Sequence, residues 1–335
     1  MYKMNYSFST ITVDDLNDDK IKQLVAPIVY LFILLFIGVP GNLAIMLIYG
    51  QNYRRSVYRS IILNLGAADF LMCSVGIPFN IARVFNYYTF NGRWVCKIFK
   101  TLLIFGMIYS THLLILLTIH RFRKIYMPLK KQISIRNVKF FIVGSFLTAL
   151  FFTWPQIIVI DLEHVKLRHN LTGRVCAITP SDPSPYLVAY SSTLLSLFSI
   201  YTVTLFLAYI LIGRKLYTIK HIKLLNADSL STQKHIAGKM TKIAFTVSVV
   251  FGLSYLPWIV LKVTTDYINT KEMSAFGLSM LRIAERLYIV NHVANPFIYA
   301  IFDKRFREQG RRLITFKSQS KLDPRSVQTS STATN

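Results

Sequence analysis

The run Leu63-Asn64-Leu65-Gly66-Ala67-Ala68-Asp69 places a single carboxylate inside a stretch that is otherwise uncharged from Arg59 to Arg83. A stretch of that length crosses a bilayer, since roughly 20 apolar residues in a helix span a hydrocarbon core about 30 Å thick. Working outward, no charge lies between Lys22 and Arg54, Lys100 and Arg121, Lys139 and Asp161, Asp182 and Arg214, or Lys242 and Lys262. A seventh run, Arg286 to Asp303, is long enough only when joined to the upstream 275–286, which carries Arg282 and Glu285. Hydrocarbon tolerates no unpaired backbone groups, so each run is expected to be a helix. The fold class is therefore an all-α membrane protein, a seven-transmembrane helix bundle.

Composition agrees. The 335 residues are 53% hydrophobic and only 16% charged, against about 25% charged in a soluble domain, and the mean hydropathy is +0.42. A disordered or ordinary soluble chain is excluded on those grounds. The net charge of +24 invites a nucleic-acid partner, but its distribution argues against one. With the amino end outside, the inner connections and tail hold 25 of the 39 basic residues against four acids, while the outer side is near balance. This is the positive-inside pattern of a membrane protein, with the cations facing anionic lipid. No nucleic-acid partner is expected.

Two further features agree with that orientation. The glycosylation acceptors Asn5-Tyr6-Ser7 and Asn170-Leu171-Thr172 both fall outside. So do Cys96 and Cys176, where oxidising conditions favour a disulfide, whereas Cys73 reads as a small buried hydrophobe in the second span. The first 20 residues are polar and acidic, so the first span is expected to direct insertion itself. The chain divides into an outer amino-terminal segment (1–24), the bundle (25–302), an amphipathic strip (303–315) and a cytoplasmic tail (316–335). There is no internal repeat.

Polar groups inside spans are costly and usually functional. Asp69 needs partners, and Ser110, Asn291 and Asn295 on other spans offer oxygens suited to a sodium ion; a hydrogen-bonded network that only packs the bundle is the other reading. The third span ends in His120-Arg121-Phe122, followed by Pro128-Leu129. The sixth holds Phe251 through Tyr255 to Pro257, and the seventh Asn295-Pro296-Phe297-Ile298-Tyr299. Both prolines break a backbone hydrogen bond and kink their helices. Two kinked helices beside a buried carboxylate suggest a bundle with two packings.

Taken together, Gly41-Asn42, the Asp69 run, Cys96 opening the third span, Phe251 to Pro257, Asn295-Pro296-x-x-Tyr299 and Phe306 beyond it resemble the rhodopsin-like (class A) G-protein-coupled receptors, of the neuropeptide-receptor-like type. The resemblance covers about residues 25–315. It implies a ligand pocket open to the outside and a cytoplasmic cavity for a heterotrimeric G protein. Carried over, Cys96–Cys176 ties the third helix to the second outer loop, and Asp69, Ser110, Asn291 and Asn295 form a pocket for an allosteric Na⁺. Arg121, Tyr209 and Tyr299 meet on activation, Leu129 docks on the G protein, and 303–313 lies along the inner membrane face with Phe306 and Leu313 toward lipid. The tail serines and threonines from Ser318 to Thr334 are targets for receptor kinases read by arrestin, or an ordinary disordered tail.

The departures are informative. His120 stands where the family usually has an acid before its Arg, and Ala237 where many members have one at the base of the sixth helix. Tyr201 replaces a Pro, Tyr255 a Trp, and Ser145-Phe146 stands where the fourth span normally carries Trp. Without a carboxylate partner Arg121 is expected to be held loosely, giving raised basal activity, with a pH dependence if His120 titrates near neutrality. Retinal is not the expected ligand, since Ile289 occupies the Schiff-base position, and amines are disfavoured by Leu103 where they require an Asp. The outer loop around His164–Cys176 suits a β-hairpin with its turn at Asn170-Leu171-Thr172-Gly173. Pocket-rim candidates are Arg83, Phe99, Lys100, Gln156, Lys262, Asp266, Arg282 and Glu285. Arg282, Glu285 and Arg286 also suit mutual pairing. A peptide is the favoured ligand, with a small acid or lipid as the alternative. The rival readings are a receptor-like decoy or scaffold and a seven-span transporter. No nucleophile–base pair, metal cluster or phosphate loop has usable spacing, so no enzyme is expected.

Overall fold

The computed structural model describes residues 11–178, 185–225, 231–264 and 273–314. A short outer helix, α1 (Val13–Gln23), precedes the first span, α2 (Val25–Asn52). The second span is α3 (Val57–Leu71), one π-helical turn (Met72–Gly76) and α4 (Ile77–Phe85). The third, α5 (Arg93–Tyr126), and the fourth, α6 (Ile135–Thr153) with the short α7 (Gln156–Val159), lead to strands β1 (Ile160–Lys166) and β2 (Thr172–Ile178). Then come α8 (Pro185–Leu225), α9 (Ser231–Thr264), α10 (Ala275–Ala284), α11 (Tyr288–Phe302) and α12 (Lys304–Ile314).

Five helical segments, within 25–52, 57–85, 93–126, 135–159 and 185–215, are long and apolar enough to cross a membrane. The sixth crossing is α9, whose apolar stretch is Phe245–Leu261. The seventh is built as its charges required, from α10 and α11 in series through a tight turn in which Arg286 N–H donates to Ile283 and Ile289 N–H to Arg286. Phe36, Phe140, Phe151, Phe206, Leu253, Phe297 and Ile301 all point outward. Such a belt would be an aggregation surface in water and is the expected lipid face in a bilayer.

The central helix is α5, which packs against α3, α6, α8 and α9 and carries β1 at its outer end. The π turn after Asp69 has a local cause. Pro78 has no N–H to donate and its ring crowds the carbonyl four residues back, so the turn before it widens.

The outer hairpin forms, with Lys166 paired to Thr172 and Ile160 to Ile178. Its turn is earlier than expected. It closes over Leu167–Leu171, where His169 and Asn170 take positive φ of 60° and 56°, and Thr172-Gly173 already belong to β2. Asn tolerates this left-handed conformation well. The amino-terminal α1 was not expected from its polarity alone. It starts in a capping box, Thr12 Oγ accepting from Asp15 N–H at 3.2 Å and Asp15 accepting from Thr12 N–H at 2.8 Å.

Candidate functional site

Functional side chains lie at three depths. In the core, Asp69 on α3 is fully buried. Ser110 Oγ donates to its Oδ1 at 3.3 Å and Asn295 Nδ2 to its Oδ2 at 2.5 Å, as the sequence led one to expect. The third expected partner does not join. The Asn291 amide is buried with neither atom hydrogen-bonded among the described residues, and His292 takes its place with Nδ1 2.7 Å from Asp69 Oδ1. Consecutive helical residues point about 100° apart, so Asn291 and His292 cannot both face one carboxylate. His292 shares a face with Asn295 three residues on. That spacing was a signal available in the sequence.

Two lone pairs do not sit 2.7 Å apart, so one proton lies between the imidazole and the carboxylate. A nitrogen ligand and a shared proton occupy the space where the resemblance put a cation, and sodium takes oxygen ligands as other hard cations do. The residues present do not fit Na⁺. Around this pair α2 and α11 approach closely: Asn42 Nδ2 donates to His292 O at 2.8 Å, and a Cβ on Gly41 would lie 2.7 Å from Pro296 Cγ. Above it Tyr255 stacks on Phe251 (4.4 Å between centroids) and Phe198 (5.4 Å), next to the kink at Pro257. Tyr201 bonds His112 Nε2 at 2.5 Å, while His112 Nδ1 lies 3.1 Å from Ser145 O, so α8, α5 and α6 are laced where the family's Pro and Trp are missing.

At the inner end, Arg121 is buried and has no carboxylate partner among the described residues. Its guanidinium lies 4.5 Å from the Tyr58 ring instead, a cation–π contact the sequence did not disclose. Among the described residues, neither nitrogen of the buried His120 ring has a hydrogen-bond partner. Tyr209 accepts from Thr118 Oγ1 at 3.1 Å and Tyr299 packs edge-on against Tyr49; neither hydroxyl hydrogen-bonds to Arg121 among the described residues. Leu129 is fully exposed after Pro128. Asp303 accepts from Tyr53 OH at 2.7 Å and from the N–H groups of Arg305 and Phe306, which starts α12. Phe306 is a correction: it does not face lipid but is buried against Tyr49 and Tyr299, because α12 folds back under α2 and α11.

At the outer end Cys96 and Cys176 are joined by a disulfide that ties α5 to β2. Arg93 adds a two-point ion pair to Asp161 (2.8 and 2.6 Å), and that hydrogen bonding, with a further one from Leu162 N–H, holds the Asp161 carboxyl down at about 2 against some opposing burial. Of the rim candidates, Arg83 donates to Cys176 O at 3.2 Å and Arg282 to Glu285 at 2.7 Å. Phe99 stacks on Phe79 and lines an apolar crevice with Leu102, Phe105, Tyr109 and Phe146. Lys100 is half-buried on α5. Gln156 is buried at the start of α7 rather than open at a rim, because Lys97 clamps that helix to α5 through Ile157 O. Asn170 stands exposed at the hairpin tip. Asn5, the Lys262 side chain, Asp266, the Ala237 and Leu313 side chains, and the tail serines and threonines lie outside the described residues.

Comparison with known proteins agrees with this layout. The chain is 25% identical to the C3a anaphylatoxin chemotactic receptor of Danio rerio over 290 residues, covering 86% of this chain and 74% of that protein. It is 25% identical to Chemerin-like receptor 1 of Homo sapiens (91% and 82% covered) and 23% identical to Neuropeptide FF receptor 2 of Rattus norvegicus (88% and 73% covered). The family described as 7 transmembrane receptor (rhodopsin family) matches residues 41–299. With most of the chain so matched, this protein belongs to the rhodopsin family of seven-transmembrane receptors.

Proposed function

We propose that this protein is a G-protein-coupled receptor of the plasma membrane, amino end outside, which binds an extracellular peptide and promotes nucleotide exchange on a heterotrimeric G protein. The observation that carries the reading is the inner end of α5: a buried Arg121 held by an aromatic ring rather than a carboxylate, with fully exposed Leu129 beyond it, in a chain of the rhodopsin family. The orientation is supported by the cation-rich inner connections and by a disulfide and an exposed acceptor Asn170 at the opposite end. A peptide ligand is supported by relatives named for one, Neuropeptide FF receptor 2 among them, and by the hairpin over the bundle's mouth. Receptor kinases and arrestin acting on the tail are part of the same proposal.

A receptor that binds ligand without activating is the second reading, favoured by His120 at the position of an acid. One experiment separates the two. Purified receptor in lipid nanodiscs is mixed with a panel of G proteins and a peptide library, and guanine-nucleotide exchange is followed. Peptide-dependent exchange on at least one G protein is expected. Saturable peptide binding with no exchange on any member would leave the decoy reading standing.

A further inference from the structure

Three guanidinium groups crowd the outer end of the bundle around one carboxylate. Arg282 and Arg286 both reach Glu285, at 2.7 and 3.5 Å. Arg83 enters from α4, its guanidinium donating to Cys176 O at 3.2 Å and lying 5.8 Å from the Phe79 ring. Lys20 of α1 adds a fourth cation over the Tyr87 ring, whose hydroxyl accepts from Arg282 at 2.8 Å. That helix is fixed in place, since Asn17 donates to Phe85 O and accepts from Tyr88 N–H, both at 2.9 Å.

Among the described residues, one acid thus serves four cations. Arg286 is only 8% exposed, and among the described residues Nε of both Arg286 and Arg282 lacks a hydrogen-bond partner. Like charges gathered away from water repel strongly, and a buried cation without an anion is a standing cost. Glu285 is shared between Arg282 and Arg286, while Arg83 donates to the Cys176 carbonyl at 3.2 Å and Arg286 to the Arg282 carbonyl at 2.7 Å, neutral acceptors that leave the excess positive charge in place. Guanidinium donors in this number match a planar oxyanion.

We infer that the outer mouth is a carboxylate-binding site, with Arg83 and Arg286 as the principal holders and Arg282 and Lys20 at its edge. Its ligand is a peptide presenting a carboxylate, either terminal or on an Asp or Glu side chain. The inference rests on the peptide-receptor reading above and narrows it.

Thermal melting of the purified full-length receptor at constant ionic strength tests it, with glutarate, glutaramide and inorganic phosphate as probes. Glutarate should raise the melting temperature by about 2 °C or more, glutaramide should not, and phosphate should do less than glutarate. Arg83→Gln should melt no lower than wild type without probe, because repulsion is relieved, and should lose at least half of the glutarate shift. Arg83→Lys should keep more of it. Equal shifts with glutarate and glutaramide overturn the site, as do full glutarate shifts in both Arg83→Gln and Arg286→Gln, and a phosphate shift matching glutarate overturns its carboxylate preference. Basal nucleotide exchange without any glutarate response would sink this inference alone; a glutarate response in a receptor that exchanges nucleotide on no G protein would sink only the reading beneath it.

Discussion

His292 and Asp69 share one proton across 2.7 Å in a fully buried core, tying α11 to α3 at the depth where the bundle has its π turn and a close α2–α11 approach. The carboxylate is answered from inside the chain. An ion that binds only the folded state raises its stability, increasingly so as its concentration exceeds its dissociation constant. The melting temperature should therefore be the same in sodium chloride as in potassium chloride, and His292→Ser should make it sodium-dependent. A sodium-specific rise of more than about 2 °C in the wild type would put the ion back in this pocket.

Tyr58 does for Arg121 what a carboxylate does elsewhere, but more weakly. A cation–π contact contributes about 0.5–2 kcal/mol, so removing it shifts a two-state balance by roughly two- to thirty-fold. Tyr58→Leu should raise ligand-free nucleotide exchange, and Tyr58→Phe, which keeps the ring, should not. Unchanged exchange in Tyr58→Leu would show that something else restrains Arg121.

The same logic applies one residue earlier. An acid at position 120 would give Arg121 the charged neighbour it lacks. His120→Asp should have lower basal exchange than wild type at matched surface expression. Equal or higher exchange in the variant would contradict the account of raised basal activity.

Gly41 has no room for a side chain. An Ala there would put Cβ 2.7 Å from Pro296 Cγ and 3.0 Å from Cβ, and a proline ring cannot swing aside. Gly41→Ala should destabilise by about 1–3 kcal/mol, the usual cost of overpacking, read as a lower melting temperature. Gly50, with nothing within 4 Å of its Cβ position, is the control.

Asp161 gives the outer hairpin a pH-dependent anchor. Its carboxyl is held at about 2 in the folded protein, chiefly by Arg93, below the ordinary value of about 3.9. A depressed acid stabilises above its unfolded value, and that stabilisation disappears as pH falls toward the folded one. Because the Arg93 side chain is 62% exposed, solvent screening limits the contribution to about 1 kcal/mol. The melting gap between wild type and Asp161→Asn should be full at pH 6 and close toward pH 2. A gap independent of pH would contradict it.

Much of this was legible from residue spacing. Charge-free runs defined seven crossings, and even the need to join 275–286 to the seventh. The structure brings Ser110 and Asn295 onto Asp69, where a buried carboxylate demands donors and few spans offer any. His292 was passed over for Asn291, since composition favoured oxygen ligands and only helical phase excludes one of two neighbours. Sequence gives no signal for Tyr58 on Arg121 and the wrong facing for Phe306 for a related reason: an aromatic looks alike along the chain whether it faces lipid, a partner helix or a cation.

The linear chain alone determined that there is a membrane bundle, because the cost of burying a charge or a bare peptide group in hydrocarbon depends on local order of residues and on nothing distant. Which side chain meets which was decided only on folding. Asp69 with His292 and Arg121 with Tyr58 each join residues on separate helices, and Arg83 with Cys176 joins α4 to β2. Such pairings follow from helix rotation and a few ångströms of interhelical approach, which close packing sets and no single segment encodes.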